Sequence, residues 1–502
     1  MTQAAAVLGA LGVVAAIAGR SRAQVLAGLG AVAAAELLLA RELLPDGLGS
    51  TIGSSTGVAA LAVGGPLLAG LAALFVRAPG VVPVAIVAAA PFRFPFELGA
   101  EHRFFVALGE DGALGRLIPL YVVIAAGGLA LAWRLTRGYV PREPPPFLTV
   151  PAALLLGLTT LSLLWAYDPR AAEDRVVFFV LPFAALLAVV ARSPFRPWLP
   201  RALAIVAVSL ACFFALFGLG EAWARELVFY DPKVAVANEY TSYFRVTSVF
   251  SDPSIYGRHL AIVIAVLVAL LWLGRVGLIV AAALVAFLWA GLYVSYSQSS
   301  MVALAAAVVV VSFLVADART RRWLAGAAVA LVLAGAIALA LLLQTESADR
   351  VTSGRSQLVR DTFVVVSNHP LAGVGVASQP AASRDEAGGA RRVRLNVSHT
   401  APLTVAAELG VIGIALYVAF LAGAAWALLV LRRRADGLGL SLLALLVVVF
   451  VHSLVYGVFF EDPILWAALG VAAAALAARE LPEPAPARDP LRTSSDPAPA
   501  AP

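Results

Sequence analysis

A histidine, a glutamate and a scatter of arginines are the side chains whose types and spacing suit chemistry here. The stretch "NVSHTAPLTVAAELGVIGIALYVAFL", residues 396–421, sets His399 at the mouth of an apolar helix and carries Glu408 inside it. Pro402 suits the first helical turn and Thr400 the cap, which leaves His399 just outside the positive end of the helix dipole. That field disfavours imidazolium. A neutral ring able to accept a proton is what a general base requires; the alternative is an interfacial histidine bonded to backbone. Glu408 lies about two turns into the same helix, where a carboxylate costs a few kcal/mol unless it is paired or faces water. Gly410 and Gly413 follow it and offer a smooth face for close packing, so Glu408 is expected to orient its neighbours rather than react.

The arginines read the same way only once the elements that hold them are known. Hydrophobic residues make up 61% of the 502-residue chain and charged ones only 13%, and apolar runs of about twenty residues recur along nearly all of it. The expected fold is an all-α polytopic membrane protein of about 12 to 15 transmembrane helices, some of the first four short, tilted or re-entrant. Residues 1–146 form an N-terminal set of helices, 147–343 a central set with an outer loop at 223–253, 344–401 a large extracytoplasmic loop with an amphipathic helix, 402–480 a C-terminal set, and 481–502 a Pro/Ala-rich disordered cytoplasmic tail.

Arginine in short connections assigns the cytoplasmic side. "GRSR" (19–22), "RAPG" (77–80), "RLTRGYVPR" (134–142), "RSPFRPWLPR" (192–201), "DARTRR" (317–322) and "RRRAD" (432–436) alternate with the loops "SYSQSS" (295–300) and "EDP" (461–463), which carry none. Two segments break this rule. Residues 223–258 hold Arg225, Lys233, Arg245 and Arg258, and residues 344–401 hold Arg350, Arg355, Arg360, Arg384, Arg391, Arg392 and Arg394, all on the side away from the cytoplasm. Cations placed against the topological preference suit an anionic ligand, and phosphate fits the planar guanidinium fork best. Taken singly, Arg245 before a helix and Arg258 just inside it also fit snorkelling or salt-bridged side chains. Residues 353–376 read as an amphipathic helix opened by Arg355, with Leu358, Thr362, Phe363 and Val366 on one side, lying on the membrane surface where it walls a lipid cleft. Asp-Pro pairs at helix ends (168–169, 231–232, 252–253, 462–463) read as caps.

Several function classes are excluded. Cys212 is the only cysteine, and neither an Asp-x-Asp pair, a His-x-x-x-His spacing nor a GxxxxGK[ST] loop occurs. No metal, nucleotide, other cofactor or nucleic acid is implied, and arginine must neutralise any phosphate.

"HTAPLTVAAELGVIG" resembles the His-Asn-x-x-Leu-x-x-x-x-Glu-x-Gly signature of the O-antigen ligase and polymerase superfamily, through His399, Leu403, Glu408 and Gly410. In chain order, "FRVTSVFSDPSIYGRHLA" (244–261) is similar to the family's Arg-x-x-Gly-x-Phe-x-x-Pro segment, "SYSQSSMVAL" (295–304) to a Ser-rich helix start, "GRSQLVRDTFVVVSNHPLAGVGV" to the stretch before the histidine, and "VHSLVYGVFFEDPILWAALG" (451–470) to the family's end. Thr400 replaces the usual Asn, Ser248 the Gly and Ser254 an Asn. The resemblance implies a GT-C-type glycosyltransferase in the bacterial inner membrane. It would move a glycan from a polyprenyl (undecaprenyl) diphosphate donor to a hydroxyl of a glycan, lipid or protein acceptor, outside the cytoplasm and without metal or nucleotide. It assigns His399 as the essential histidine, Arg245 as a diphosphate ligand and Arg355 beside it, with Arg258 a further candidate. A polymerase, which joins lipid-linked repeats, differs from a ligase only in acceptor. The rival from another class is a transporter coupled through Glu408 or Glu36, against which stands the one-sided cluster.

Overall fold

The computed structural model describes residues 1–43, 55–92, 96–98, 102–104, 117–228, 232–345, 355–387, 398, 400–457 and 460–478. It is a bundle of helices, as expected, with one short antiparallel hairpin, β1 (Phe96–Leu98) and β2 (His102–Phe104), which the sequence reading does not foresee. The chain runs α1 (Thr2–Ala18), α2 (Arg22–Leu43), α3 (Ser55–Arg77), α4 (Val82–Ala89), α5 (Ile118–Thr136), α6 (Pro146–Leu161), α7 (Pro169–Arg175) and α8 (Leu181–Ala191). It continues through α9 (Leu199–Ala224), α10 (Pro232–Glu239), α11 (Pro253–Trp272), α12 (Leu278–Val294), α13 (Gln298–Val315) and α14 (Ala318–Thr345). Then come α15 (Arg355–Asn368), α16 (Gln379–Glu386), α17 (Ala401–Arg434), α18 (Asp436–Ser453) and α19 (Pro463–Ala477).

Among the described residues, nine helices are long and apolar enough to cross a membrane, and α1, α12 and α19 are shorter apolar helices. A tenth span arises if the pair Leu61–Arg77 and Pro79–Ala89, bent by 109°, is counted as one. That bend makes good the expectation of a re-entrant or tilted element near the N-terminus, and Pro79 and Pro83 supply its cause.

The arginine-rich connections gather at one end of the bundle. Arg192 donates from Nη2 to the carbonyls of Ile17 and Gly19, Arg432 to that of Leu314, Arg434 to that of Leu476, and Arg275 pairs with Asp436 at 2.9 Å. The opposite end collects the connections 162–168, 232–252, 295–300, 370–386 and 454–457. Three Asp-Pro caps form there as read: Asp168 accepts from Ala171 N–H, Asp252 from Ser254 and Ile255, and Asp462 from Ile464. Of the fourth, Asp231 lies outside the described residues and Pro232 opens α10.

α17 departs from expectation. It is not one continuous helix, because Gly410 sits at φ +63°, ψ −161° and breaks it just past Glu408. Gly410 therefore serves as a kink and not as a smooth packing face. The break frees backbone groups inside the bundle, and a strap from the preceding loop takes them up: Val374 N–H donates to Ala407 O at 2.9 Å, Gly375 N–H to Glu408 O at 2.8 Å, and Val411 N–H to Pro370 O at 2.8 Å. α15 also needs correction. Thr362 and Val365 are buried with Leu358 half-buried beside them, whereas Phe363 is 61% exposed on the far side with Val359 and Val364.

Gly410→Ala is expected to destabilise the protein by at least about 2 kcal/mol, since an L side chain disfavours a positive φ and the added Cβ would collide with the Leu371 carbonyl. Gly128→Ala, inside α5 with open space around it, should be neutral or slightly stabilising. Thermal unfolding in detergent checks both; equal melting temperatures would contradict the kink.

Candidate functional site

Arg245 sits on a loop fastened from three directions. Asn238 brackets it, its Oδ1 accepting Arg245 N–H at 2.9 Å and its Nδ2 donating to Arg245 O at 3.0 Å. Glu221, buried in α9, accepts from Thr247 N–H at 2.9 Å and Ser248 N–H at 2.7 Å through one oxygen and from Val228 N–H at 2.9 Å through the other. Val246 N–H reaches Val294 O. Ser248 adopts φ +53°, the left-handed region that favours glycine, at the position where the resembled motif carries Gly; its hydroxyl donates to Phe214 O at 2.9 Å. The half-buried guanidinium donates from Nε to Ser295 O at 3.5 Å, and no carboxylate of the described residues lies within ion-pairing distance of it. A fixed backbone thus carries a cation that no carboxylate of the described residues pairs.

Arg258 has a different setting. It is 2% exposed, one turn into α11, and pairs at 3.1 Å with Asp462, the cap of α19. The expectation that it meets a diphosphate at the rim gives way to an internal ion pair that ties two helix starts together. Nearby, Tyr456 donates to Asp252 Oδ2 at 2.7 Å, and burial together with that carboxylate pushes the phenol above its ordinary pKa. The serine run opens α13 as expected: Ser297 Oγ accepts from Ser300 N–H as the cap, Ser300 Oγ donates to Ser254 O, and Ser299 Oγ lies 3.2 Å from His452 Nε2.

Glu408 is buried at the α17 break, and its carboxyl faces the backbone N–H groups of Ala377 and Gln379 where α16 begins. The Arg175 guanidinium, ion-paired with Glu461, adds attraction. The strap is locked onto α6 and the turn that follows it: Val376 N–H donates to Ser162 Oγ at 3.0 Å, Tyr167 N–H to Val374 O at 2.8 Å, and Asp168 N–H to Ser378 Oγ at 3.0 Å. Tyr167 also donates its hydroxyl to Asp385 at 3.0 Å, which raises the phenol pKa.

His399 lies outside the described residues, as does the side chain of Arg355, whose backbone opens α15 as expected. The neighbours of His399 in sequence are placed. Ser398 is buried, gives its N–H to the Gln379 carboxamide at 3.1 Å and shares a 2.9 Å hydroxyl contact with Thr404. Thr400 holds the cap position of α17, but its hydroxyl donates to Leu454 O at 3.3 Å and makes no capping bond.

A cavity of about 780 Å³ opens between α9, α11, α18 and α19, with Phe214, His259 and Ile464 towards this end and Arg201, Arg275 and Asp436 towards the other. Its walls are mostly apolar and run along the helices.

Residues 282–418, from within α12 to the kinked half of α17, match the family model described as O-antigen ligase. That segment is similar to O-antigen ligases. All four residues of the His399, Leu403, Glu408 and Gly410 signature fall inside the match, so the superfamily read from them is borne out. No curated protein matches the chain. An O-antigen ligase-like membrane enzyme follows from the domain and the apolar helices together.

Sequence reasoning misses Glu221, Gln379 and Arg175, and it reads Asp462 as a cap without its pairing to Arg258. Glu221 carried the only available signal, an acid in an otherwise apolar helix; Gln379 carried none.

Asp462→Ala, which strands a buried Arg258, is expected to cost about 3 to 5 kcal/mol, whereas the double change Arg258→Met with Asp462→Leu should recover most of it. Chemical or thermal unfolding of the purified protein reads the difference, and an Asp462→Ala protein as stable as wild type would contradict the pair.

Proposed function

We propose that this O-antigen ligase-like enzyme transfers a glycan from a polyprenyl diphosphate to an acceptor hydroxyl at the membrane end opposite the arginine-rich loops, outside the cytoplasm. The observation that carries the reading is Arg245: an arginine held by its backbone on three sides, lacking a carboxylate partner among the described residues, on the segment that resembles the family's Arg-x-x-Gly motif. The sugar C1 bond to the diphosphate oxygen breaks, and the acceptor oxygen forms the new bond to C1. The acceptor proton passes to His399, and the polyprenyl diphosphate departs with the negative charge. Arg245, with Arg355 at the start of α15, stabilises that charge as it grows. Arg258 supports from behind, holding α11 and α19 together. The apolar cavity along α9, α11, α18 and α19 suits the polyprenyl tail. Chemistry of this kind asks for cationic neutralisation and a proton acceptor, which these side chains supply without metal or nucleotide.

Glu408 acts on position and not on the reacting atoms, because its carboxyl is buried at the α17 break and turned towards the backbone amides at the start of α16. A transporter coupled through Glu408 would require that carboxylate to be accessible; it is buried.

Glycan transfer by purified protein from a lipid-diphosphate oligosaccharide, with EDTA present, tests the reading. Wild-type transfer should survive EDTA, while His399→Ala and Arg245→Ala should each lose about 100-fold, roughly 2.7 kcal/mol of barrier. Undiminished transfer in both variants would overturn the site, and loss of wild-type activity in EDTA would overturn the metal-free chemistry.

A further inference from the structure

We infer that Gln379 is the positioning residue for the proton acceptor, fixing the backbone one residue ahead of His399 and coupling it to the Glu408 clasp. The inference rests on the reading of His399 above. Gln379 is 1% exposed at the start of α16, and its carboxamide is fully engaged. Oε1 accepts Ser398 N–H at 3.1 Å, while Nε2 donates to Thr362 Oγ1 at 3.0 Å and to Ser383 Oγ at 2.8 Å.

The amide has only one consistent orientation. Thr362 Oγ1 spends its own proton on Leu358 O at 2.7 Å, so it offers Gln379 lone pairs and must face the NH₂ group. Oε1 is thereby turned towards Ser398. The Gln379 backbone N–H, meanwhile, faces the Glu408 carboxyl, and the strap just ahead of it is fixed to Glu408 by Gly375 N–H, which donates to Glu408 O at 2.8 Å. One residue therefore joins the α17 break, the buried face of α15 and the chain entering His399. Ser398 passes the constraint on through Thr404 and the Thr400 carbonyl.

No element of this chain touches the reacting atoms, so its effect should appear in turnover and not in donor binding. Gln379→Leu keeps the volume and removes every hydrogen bond; Gln379→Glu keeps an acceptor facing Ser398 N–H. In the transfer assay, Gln379→Leu is expected to lower kcat about 30-fold with donor KM within about threefold, the scale that misplacement of a catalytic group produces. Gln379→Glu should recover to within about fivefold of wild type. Should Gln379→Leu not fold, Thr362→Val removes only the acceptor that orients the amide and is read by the same kcat and KM comparison.

His399→Ala, run in parallel, separates the two ideas. Full activity in His399→Ala removes the premise. An inactive His399→Ala beside a Gln379→Leu enzyme of wild-type kcat leaves the premise standing and overturns the role of Gln379. A folded Gln379→Glu as impaired as Gln379→Leu overturns it too, since the retained acceptor would then count for nothing.

Discussion

A carboxylate inside an apolar helix must find partners, and the way Glu408 finds them organises everything around the site. Leaving it unpaired in a membrane costs a few kcal/mol. Its carboxyl faces the amides of Ala377 and Gln379, where the loop behind the strap turns into α16, so that loop has to be drawn into the bundle. Gly410 makes room by breaking α17, and the backbone groups exposed by the break are satisfied by the same strap through Val374, Gly375 and Pro370. Irregular backbone at this depth is tolerable only because it is enclosed by protein and fully bonded. The strap's own glycines are part of the fit: Gly373 and Gly375 both have positive φ, and a Cβ on either would strike the Glu408 carbonyl or Ala166.

The second constraint concerns charge. Two arginines on the same stretch have opposite settings. Arg258 enters the bundle and is neutralised by Asp462, where the pair's net energy is small and its use is to fix helix starts relative to one another. Arg245 stays half-buried, and Glu221, buried in α9, accepts from three backbone amides of this segment and not from the guanidinium. Glu221 thus goes to backbone and Asp462 to Arg258, and no carboxylate of the described residues pairs with Arg245.

Much of this was legible in the sequence because it depends on local pattern. Apolar runs gave the spans, Asp-Pro gave three caps, and the His399 to Gly410 spacing gave the superfamily. Arg245 and Arg258 looked alike because both are arginines at the start of one helix, on one outer segment; Asp462, some two hundred residues away, distinguishes them only in three dimensions. The break at Gly410 was invisible for a similar reason. Glycine in an apolar run reads equally as a packing face, and the strap that forces the kink lies in a distant loop. Phe363 was placed on the wrong side of α15 because an exposed aromatic facing lipid and a buried one satisfy the same hydrophobic pattern. Gln379 is the extreme case, since its importance lies wholly in which hydrogen bonds its carboxamide makes.

The claim that Glu408 reaches the catalytic chain through Gln379 is tested most directly by a double-mutant cycle on transfer rate, using Glu408→Gln, Gln379→Leu and the pair. The account predicts coupling of at least about 1 kcal/mol, the double variant being little worse than the more damaging single one. Additivity to within about 0.5 kcal/mol would contradict it, because two groups on one mechanical path cannot act independently.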